Sequence, residues 1–543
     1  MTARNPRRLR GRAAPWLVLA SIVALLVPAL NASAAGTTTA APSNILQDIV
    51  PAPVVVTANT AVSYQLNPGT VVFTSPAARP VGDYLAGLVR PATGFVVPVV
   101  SIPAIPEALP GISLLLQGAD PSVGTEGYQL DVTARTVVIR ANTAAGLFYG
   151  VQTLRQILPA KLADRTRQPG PWLVPGGHVL DFPRYGHRGA MLDVARHFMS
   201  VADVKRYIDE ISLYKVNYLH LHLTDDQGWR LAINGWPRLT SFGGTTGEGG
   251  GPGGFYTQDQ FRDIIAYAQA HFVTIVPEVD VPAHSDAALA SYAQLNCDGV
   301  APPLYTDIGT APNDTLCVDK AITFQFLNDV IGQIAALTPG PYVDIGGDEV
   351  STLTTDQYTA FLQHVQKIVV AHGKKLMGWA EALTATTPAD STGQFWIYDS
   401  TKAQVVAASQ QGAQIVMSPC IFTYLDQKYA PNTPPDPLGL EWAGDINTQT
   451  AYGWDPTQVL AGVPDTAISG VEAPLWTDVV TTFAQVQQMT FPRLPAIAEI
   501  GWSTADSHDW TSFSQRLANQ GPLWKSMGIN YYQDPDVAWP AGS

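Results

Sequence analysis

Val343-Asp-Ile-Gly-Gly-Asp-Glu-Val350 joins an apolar run, residues 341–345, to two glycines and a pair of adjacent carboxylates, Asp348 and Glu349. Glycines at a strand end let the backbone bend tightly and come close to a ligand. Neighbouring side chains on a strand point to opposite faces, so two carboxylates in series can take different tasks in one pocket. The plainer reading is a strand entering an acidic helix N-terminus, where Asp and Glu are favoured anyway. The surrounding pattern decides between them.

Outward from this stretch, apolar runs alternate with amphipathic ones. Strands are expected at 188–194, 216–223, 273–279, 342–345, 375–379, 394–398, 414–418 and 468–475. The helices between them have legible starts. Ser200 with Asp203 caps one whose apolar positions are Val204, Tyr207, Ile208 and Ile211, and Thr257 with Gln260 caps another carrying Phe261, Ile264, Ile265 and Ala268. Eight such βα units predict an α/β fold with a (β/α)8 TIM barrel over residues 181–543. Residues 63–180 read as a small non-catalytic α/β domain, with a strand at 127–133, its hairpin partner at 136–140 and a helix at 144–158. The Ala/Thr/Pro-rich residues 35–62 read as a linker.

Residues 1–34 read as a signal peptide: five arginines, an apolar stretch at 14–30, and Ala32-Ser-Ala34 as cleavage site. The chain is therefore expected to be secreted. The mature chain would carry 26 basic against 45 acidic side chains. That surface disfavours nucleic acid and anionic membranes, so neither is an expected partner. Cys297 and Cys317 lie in a loop-like stretch, and export permits a disulfide between them, leaving Cys420 as a buried small hydrophobe. The glycine-rich run 243–254 has no Lys-Ser/Thr after it and is expected as a flexible loop.

Barrel enzymes put their chemistry at the C-terminal ends of the strands. Those ends read Arg196, Asp225 and Asp226, then Glu278, Asp280 and His284, then Asp348 and Glu349. Trp379, Glu381, Trp396, Tyr424, Asp426, Trp476 and Asp478 complete the set. Carboxylates beside several tryptophans suit a sugar, whose C–H faces stack on indoles while its hydroxyls donate to carboxylates.

Five segments carry a resemblance: Leu192-Asp-Val-Ala-Arg-His-Phe198, Leu219-His-Leu-His-Leu-Thr-Asp-Asp-Gln-Gly-Trp-Arg230, Pro277-Glu-Val-Asp-Val-Pro-Ala-His284, Gly346-Gly-Asp-Glu349 and Pro492-Arg-Leu-Pro-Ala-Ile-Ala-Glu-Ile-Gly-Trp502. Together and in this order they resemble glycoside hydrolase family 20, the β-N-acetylhexosaminidases. The resemblance implies Glu349 as general acid/base, Asp348 as the residue orienting the substrate acetamido group, and Tyr424 as donor to the acetamido oxygen. It implies Asp225 and His284 as a relay behind the acid/base, and Arg196, Trp379, Trp396, Trp476 and Asp426 as the sugar pocket. Asp478 stands where the family usually has Glu, and Asp344 where it usually has His. The implied partners are N-acetylhexosamine-terminated oligosaccharides or glycoconjugates, with no cofactor and no metal. The implied reaction is retaining, with the acetamido oxygen as nucleophile. Asp344 would lie roughly 13 Å from Asp348 along an extended strand, which predicts weak coupling. Two other readings compete. His220 and His222 share a strand face, as in a metal-dependent barrel amidohydrolase. A catalytically silent sugar-binding protein would be expected to lack Glu349 or Tyr424.

Overall fold

The computed structural model describes residues 45–106, 109–397, 401–431 and 438–542. The expected signal peptide lies outside the described residues, as does Tyr398. Eight strands form the barrel: β1 (His187–Asp193), β2 (Tyr218–His222), β3 (Thr274–Glu278), β4 (Tyr342–Asp344), β5 (Lys375–Trp379), β6 (Ser391–Phe395), β7 (Gln414–Met417) and β8 (Ile468–Ala473). All neighbours pair parallel, and β8 closes on β1 with Gly470 opposite His187.

Local signals explain the outer helices α1 (Val201–Ser212), α2 (Gln258–Ala270), α3 (Ala321–Leu337) and α4 (Thr355–Ala371). Capping boxes start three of them, at Ser200/Asp203, Thr257/Gln260 and Thr354/Gln357. Each ties up two N–H groups that the first helical turn leaves without partners. The apolar stripe of α1 buries Val204, Tyr207, Ile208 and Ile211 against the barrel. Each such side chain contributes about 1.5–3 kcal/mol on burial.

The sixth strand begins at Ser391 rather than 394. Its polar start has no hydrophobic signature, but Ser391 pairs with Leu376, and at Gly393 a Cβ would meet Leu383 Cδ1 at 2.2 Å. Close packing, not periodicity, makes that segment a strand.

Ahead of the barrel lies a seven-stranded sheet in the order Val55–Gln65, Leu173–Asp181, Tyr128–Val132, Thr136–Ala141, Gly111–Leu115, Val72–Thr74 and Val99–Ser101. Residues 45–62, expected as linker, are folded. Leu46, Ile49 and Val50 are buried, Val50 N–H and C=O both bond Gln156, and 55–65 pairs antiparallel with 173–180. Ala and Thr at an edge strand expose much of their surface, which hides the period-two pattern. Sheet and barrel share a buried polar joint at Asp181. It accepts from Lys215 (3.0 Å), Trp502 Nε1 (2.9 Å) and the Tyr128 hydroxyl (2.7 Å). Removing one partner of such a buried ion pair typically costs about 3–5 kcal/mol.

Cys297 and Cys317 are joined by a disulfide. The loop it closes supplies Ile308, Gly309 and Thr310 to the pocket described below. Closing about 20 residues is worth roughly 3 kcal/mol. Reduction, or Cys297→Ser with Cys317→Ser, is expected to lower unfolding stability by about that amount, read by denaturant titration. Thiol counting on the denatured, unreduced chain should find one free cysteine, Cys420.

Candidate active site

Strand β4 ends at Asp344, and the chain then turns. Gly346 and Gly347 have φ of 63° and 87°, and Glu349 itself has φ of 54°. Asp348 and Glu349 therefore project from a loop rather than from alternate faces of a strand, as sequence reasoning supposed. Left-handed backbone at a non-glycine residue costs roughly 1–3 kcal/mol and persists where its surroundings enforce it. The turn also voids the extended-strand distance to Asp344, whose Oδ1 accepts the Gly346 N–H at 2.8 Å.

The turn faces His284, whose Nε2 lies 3.7 Å from Asp348 and 3.6 Å from Glu349. His284 Nδ1 lies 3.6 Å from Asp225, and Asp225 Oδ2 is 2.8 Å from both Arg196 and His222. Asp225, His284 and Glu349 thus stand in series. Burial alone would raise Asp225, but the charges of Arg196 and His284 and a hydrogen bond from His222 hold it well below the usual carboxylate range. Burial opposes charge on His284, yet Asp225 and Asp280 keep it well above its ordinary value. The contact with His284, first by hydrogen bonding and then by charge, lowers Glu349. The shared proton therefore rests on His284 while the pocket is empty. At 3.6 Å the contact is long, and such contacts tighten around substrate.

Asp348 behaves oppositely. Burial pushes its carboxyl up to about 6, with the Glu349 and Glu278 charges adding to the rise and His284 opposing it.

The aromatic wall comes from four strand ends. Trp396 and Tyr424 stack 6.3 Å apart, Trp379 packs 5.5 Å from Trp476, and Arg196 lies 5.0 Å over Trp476. Trp379 sits beneath the wall, fully buried, because its indole N–H reaches inward to Glu278 at 3.0 Å. Burial keeps the Tyr424 hydroxyl protonated, with its pKa well above the usual range, so it is a donor. Asp426 is raised to about 7 by burial and by Asp478. Arg196, Trp396, Tyr424, Asp426, Trp476 and Asp478, with Asp348 and Glu349, line a cavity of about 290 Å3, which Trp379 does not reach. A larger groove of about 670 Å3 runs along Phe422, Trp454 and Trp510, but its one carboxylate, Asp455, is spent on Arg184. Chemistry rather than size selects the smaller cavity.

His220 and His222 each gather carboxylates close enough to surround a cation, His220 with Glu278 and Asp344, His222 with Asp225 and Asp280. The two imidazoles belong to different sets, so they do not form the shared two-histidine centre of an amidohydrolase. Each lies between carboxylates as an ion pair.

Residues 185–505 match the model of the catalytic domain of glycosyl hydrolase family 20, and residues 46–182 match that family's domain 2. The chain belongs to glycosyl hydrolase family 20. A β-N-acetylhexosaminidase of Cellulomonas fimi is 39% identical over 91% of this chain and 97% of its own. The family 20 β-N-acetylhexosaminidase of Streptomyces coelicolor superposes with a TM-score of 0.87 at 50% identity, covering 91% of this chain and 99% of that one. A mutant β-hexosaminidase of Streptomyces plicatus, solved with its product GlcNAc, has a TM-score of 0.87 at 48% identity, covering 91% and 98%.

Two contributors escaped the sequence reading, and a third, Asp280, was read at a strand end but given no role. Asp280 lines the cavity and takes the Gly347 N–H at 3.1 Å. Trp442, half exposed, packs edge-on to Tyr424 and Trp396. Its only signal was an unpaired tryptophan in a Gly/Pro-rich segment. Glu248 lies buried in the run expected as a flexible loop, with its N–H on the Arg196 carbonyl at 2.9 Å. That loop is fastened by Arg230, which donates to the carbonyls of Gly244, Thr246 and Gly254.

Asp348 must be anionic to balance a developing positive charge, and its pKa is raised. The acid limb of kcat/KM should therefore fall as pH drops through about 6, instead of near the ordinary carboxylate value of about 4. Asp348→Asn should remove that limb, which a pH series on a nitrophenyl N-acetylglucosaminide reads directly.

Proposed function

We propose that this family 20 chain is an exo-acting, retaining β-N-acetylhexosaminidase that removes terminal non-reducing N-acetylglucosamine or N-acetylgalactosamine. The observation that carries this is the Asp348–Glu349 pair in a cavity of about 290 Å3 walled by Tyr424, Trp396 and Trp476. That volume lies at the small end of the ~300–1,000 Å3 typical of ligand sites and suits one sugar ring rather than a chain. The GlcNAc product held by the Streptomyces plicatus relative agrees with it.

In the mechanism, the ring enters with its acetamido group toward Asp348 and Tyr424. Tyr424 donates to the acetamido oxygen and Asp348 draws on the N–H, which aligns that oxygen with the anomeric carbon. Alignment within ~3–3.5 Å makes the attack effectively intramolecular, an advantage of up to ~7–11 kcal/mol. Glu349 receives the His284-held proton as substrate excludes water, delivers it to the leaving oxygen, and then deprotonates the water that opens the oxazolinium. Asp225 and Asp280 keep His284 charged between turnovers, and Arg196 keeps Asp225 ionised. Asp426 and Asp478 receive the outer hydroxyls. A silent sugar-binding role is disfavoured because Glu349 and Tyr424 both stand in the pocket.

Export and a polymeric source such as chitin fragments belong to the same proposal. The leader-like residues 1–34 and the acidic mature composition support them. N-terminal sequencing of protein from culture medium should begin after Ala34.

Glu349→Gln should impair chitobiose hydrolysis about 10²–10⁴-fold more than hydrolysis of an activated aryl glycoside, because only the poor leaving group needs the proton. Equal losses would assign Glu349 another role. Each fluorine added to the acetyl methyl weakens the nucleophile and should slow wild type. Indifference to fluorination, with a covalent sugar adduct by mass spectrometry, would overturn the substrate-assisted mechanism.

A further inference from the structure

Asp344 is almost fully buried at the end of β4. One of its oxygens accepts the Gly346 N–H at 2.8 Å. The other lies 3.7 Å from His220 Nε2 and has no hydrogen-bond partner. His220 is itself held between Glu278 at 2.9 Å and Glu472 at 3.0 Å. Gly346 begins the left-handed turn, and its carbonyl takes the Trp379 N–H at 2.9 Å. Beyond it, Gly347 is held by Asp280 through its N–H and by the Tyr358 hydroxyl through its carbonyl. The glycine is obligatory, since a Cβ at 346 would fall 1.9 Å from Asp280 Oδ1. The backbone N–H and C=O groups of Gly346 and Gly347 are thus all fastened, and Asp344 makes the first attachment.

We propose that Asp344 is a positioning residue for the hydrolysis: fixed beside the His220–Glu278 pair, its carboxyl holds the Gly346 N–H and so aims the turn that carries Asp348 and Glu349. The inference rests on the hydrolase reading of that pair. It also requires that the carboxyl be neutral at working pH, since an anionic oxygen without a partner would stand among Glu278 and Asp280 from β3 and Glu472 from β8. Against these negative groups His220 and His222 from β2 are positive, and β5 presents uncharged Met377 and Trp379. Burial lifts Asp344 to about 8, with Glu278 and Glu472 adding to the rise and His220 and the Gly346 N–H opposing it.

The test compares Asp344→Asn and Asp344→Ala with wild type on one activated and one poor leaving group. Asparagine keeps the acceptor and the neutral state, so its kcat should stay close to wild type. It should also lose the fall in kcat that wild type shows as pH rises through about 8, where Asp344 ionises. Alanine frees the Gly346 N–H and should lower kcat about 10–100-fold on both substrates, with KM little changed, since small misplacements of reacting groups cost on that scale. A role limited to stability would instead lower the melting temperature and leave kcat per folded molecule intact. Wild-type kcat in folded Asp344→Ala, or a limb near pH 8 retained in Asp344→Asn, would overturn the proposal. Should Asp344→Ala not fold, the Asp344→Asn pH profile still decides. An inactive wild type would overturn the hydrolase reading itself, whereas an active wild type with indifferent variants overturns only the assignment of Asp344.

Discussion

A chain of alternating charge runs through the barrel interior, and the rest of the site depends on it. His187 Nε2 meets Glu472 at 3.1 Å, Glu472 meets His220 at 3.0 Å, and His220 meets Glu278 at 2.9 Å. Glu278 then meets His222 at 2.5 Å, and His222 meets Asp225 at 2.8 Å, where the chain reaches Arg196 and His284. An isolated buried charge is prohibitively costly, so each member requires its neighbours. Despite burial, the carboxylates hold His222 up to about 9, and the imidazoles hold Glu472 down to about 2. His222 is hydrogen-bonded at both nitrogens, to Glu278 and to Asp225, which fixes the direction of both carboxylates. The geometry at Asp225 is therefore set by a network that begins at the far end of the barrel.

That network also dictates apolar and small residues around it. Gly189 on β1 has no room for a side chain, because a Cβ would lie 2.3 Å from Glu472 Oε2. Gln394 on β6 donates to Glu472 at 2.9 Å, and the Trp379 indole donates to Glu278. A strand that read as unremarkable, and a tryptophan expected in the sugar wall, are thus bound to serve the interior charges. Outside the ring of strands the packing is conventional, with Leu, Ile and Val of the helices against the barrel. Polar interior and apolar exterior together make a rigid support for a strained turn.

Sequence reasoning succeeded where one periodicity or one motif carried the information. The eight strands and the capped helices were legible because Val204, Tyr207, Ile208 and Ile211 repeat at helical spacing and caps precede them. The site residues were legible because each follows an apolar run, and the structure gathers most of them around one cavity. Features set by tertiary contact were not legible. The polar start of β6 depends on Leu383, the folding of 45–62 on Gln156 and Arg516, and the order of loop 243–254 on Arg230. Glu248 escaped, and Asp280 went without a role, because nothing in their neighbours foretells which carboxyl will be enclosed.

Acids outnumber cations around the cavity, and this bears on catalysis. Burial raises Asp348, Asp426, Asp478, Asp280 and Glu248, the last to about 9, while Arg196 and His284 are the cations facing them. An N-acetylhexosamine in its ground state is neutral and gains little from that field. As the glycosidic bond breaks, positive charge develops at the anomeric carbon and on the acetamido nitrogen. The negative charge of Asp348, ionised above about pH 6, then stabilises what the substrate becomes rather than what it is, as differential binding requires. Because the carboxyls are already desolvated, little solvent need reorganise when the charge appears. Their raised pKa values are the cost of that arrangement. The protons they hold keep the empty pocket tolerable, and Asp348, at the centre, is the group that has to give its proton up.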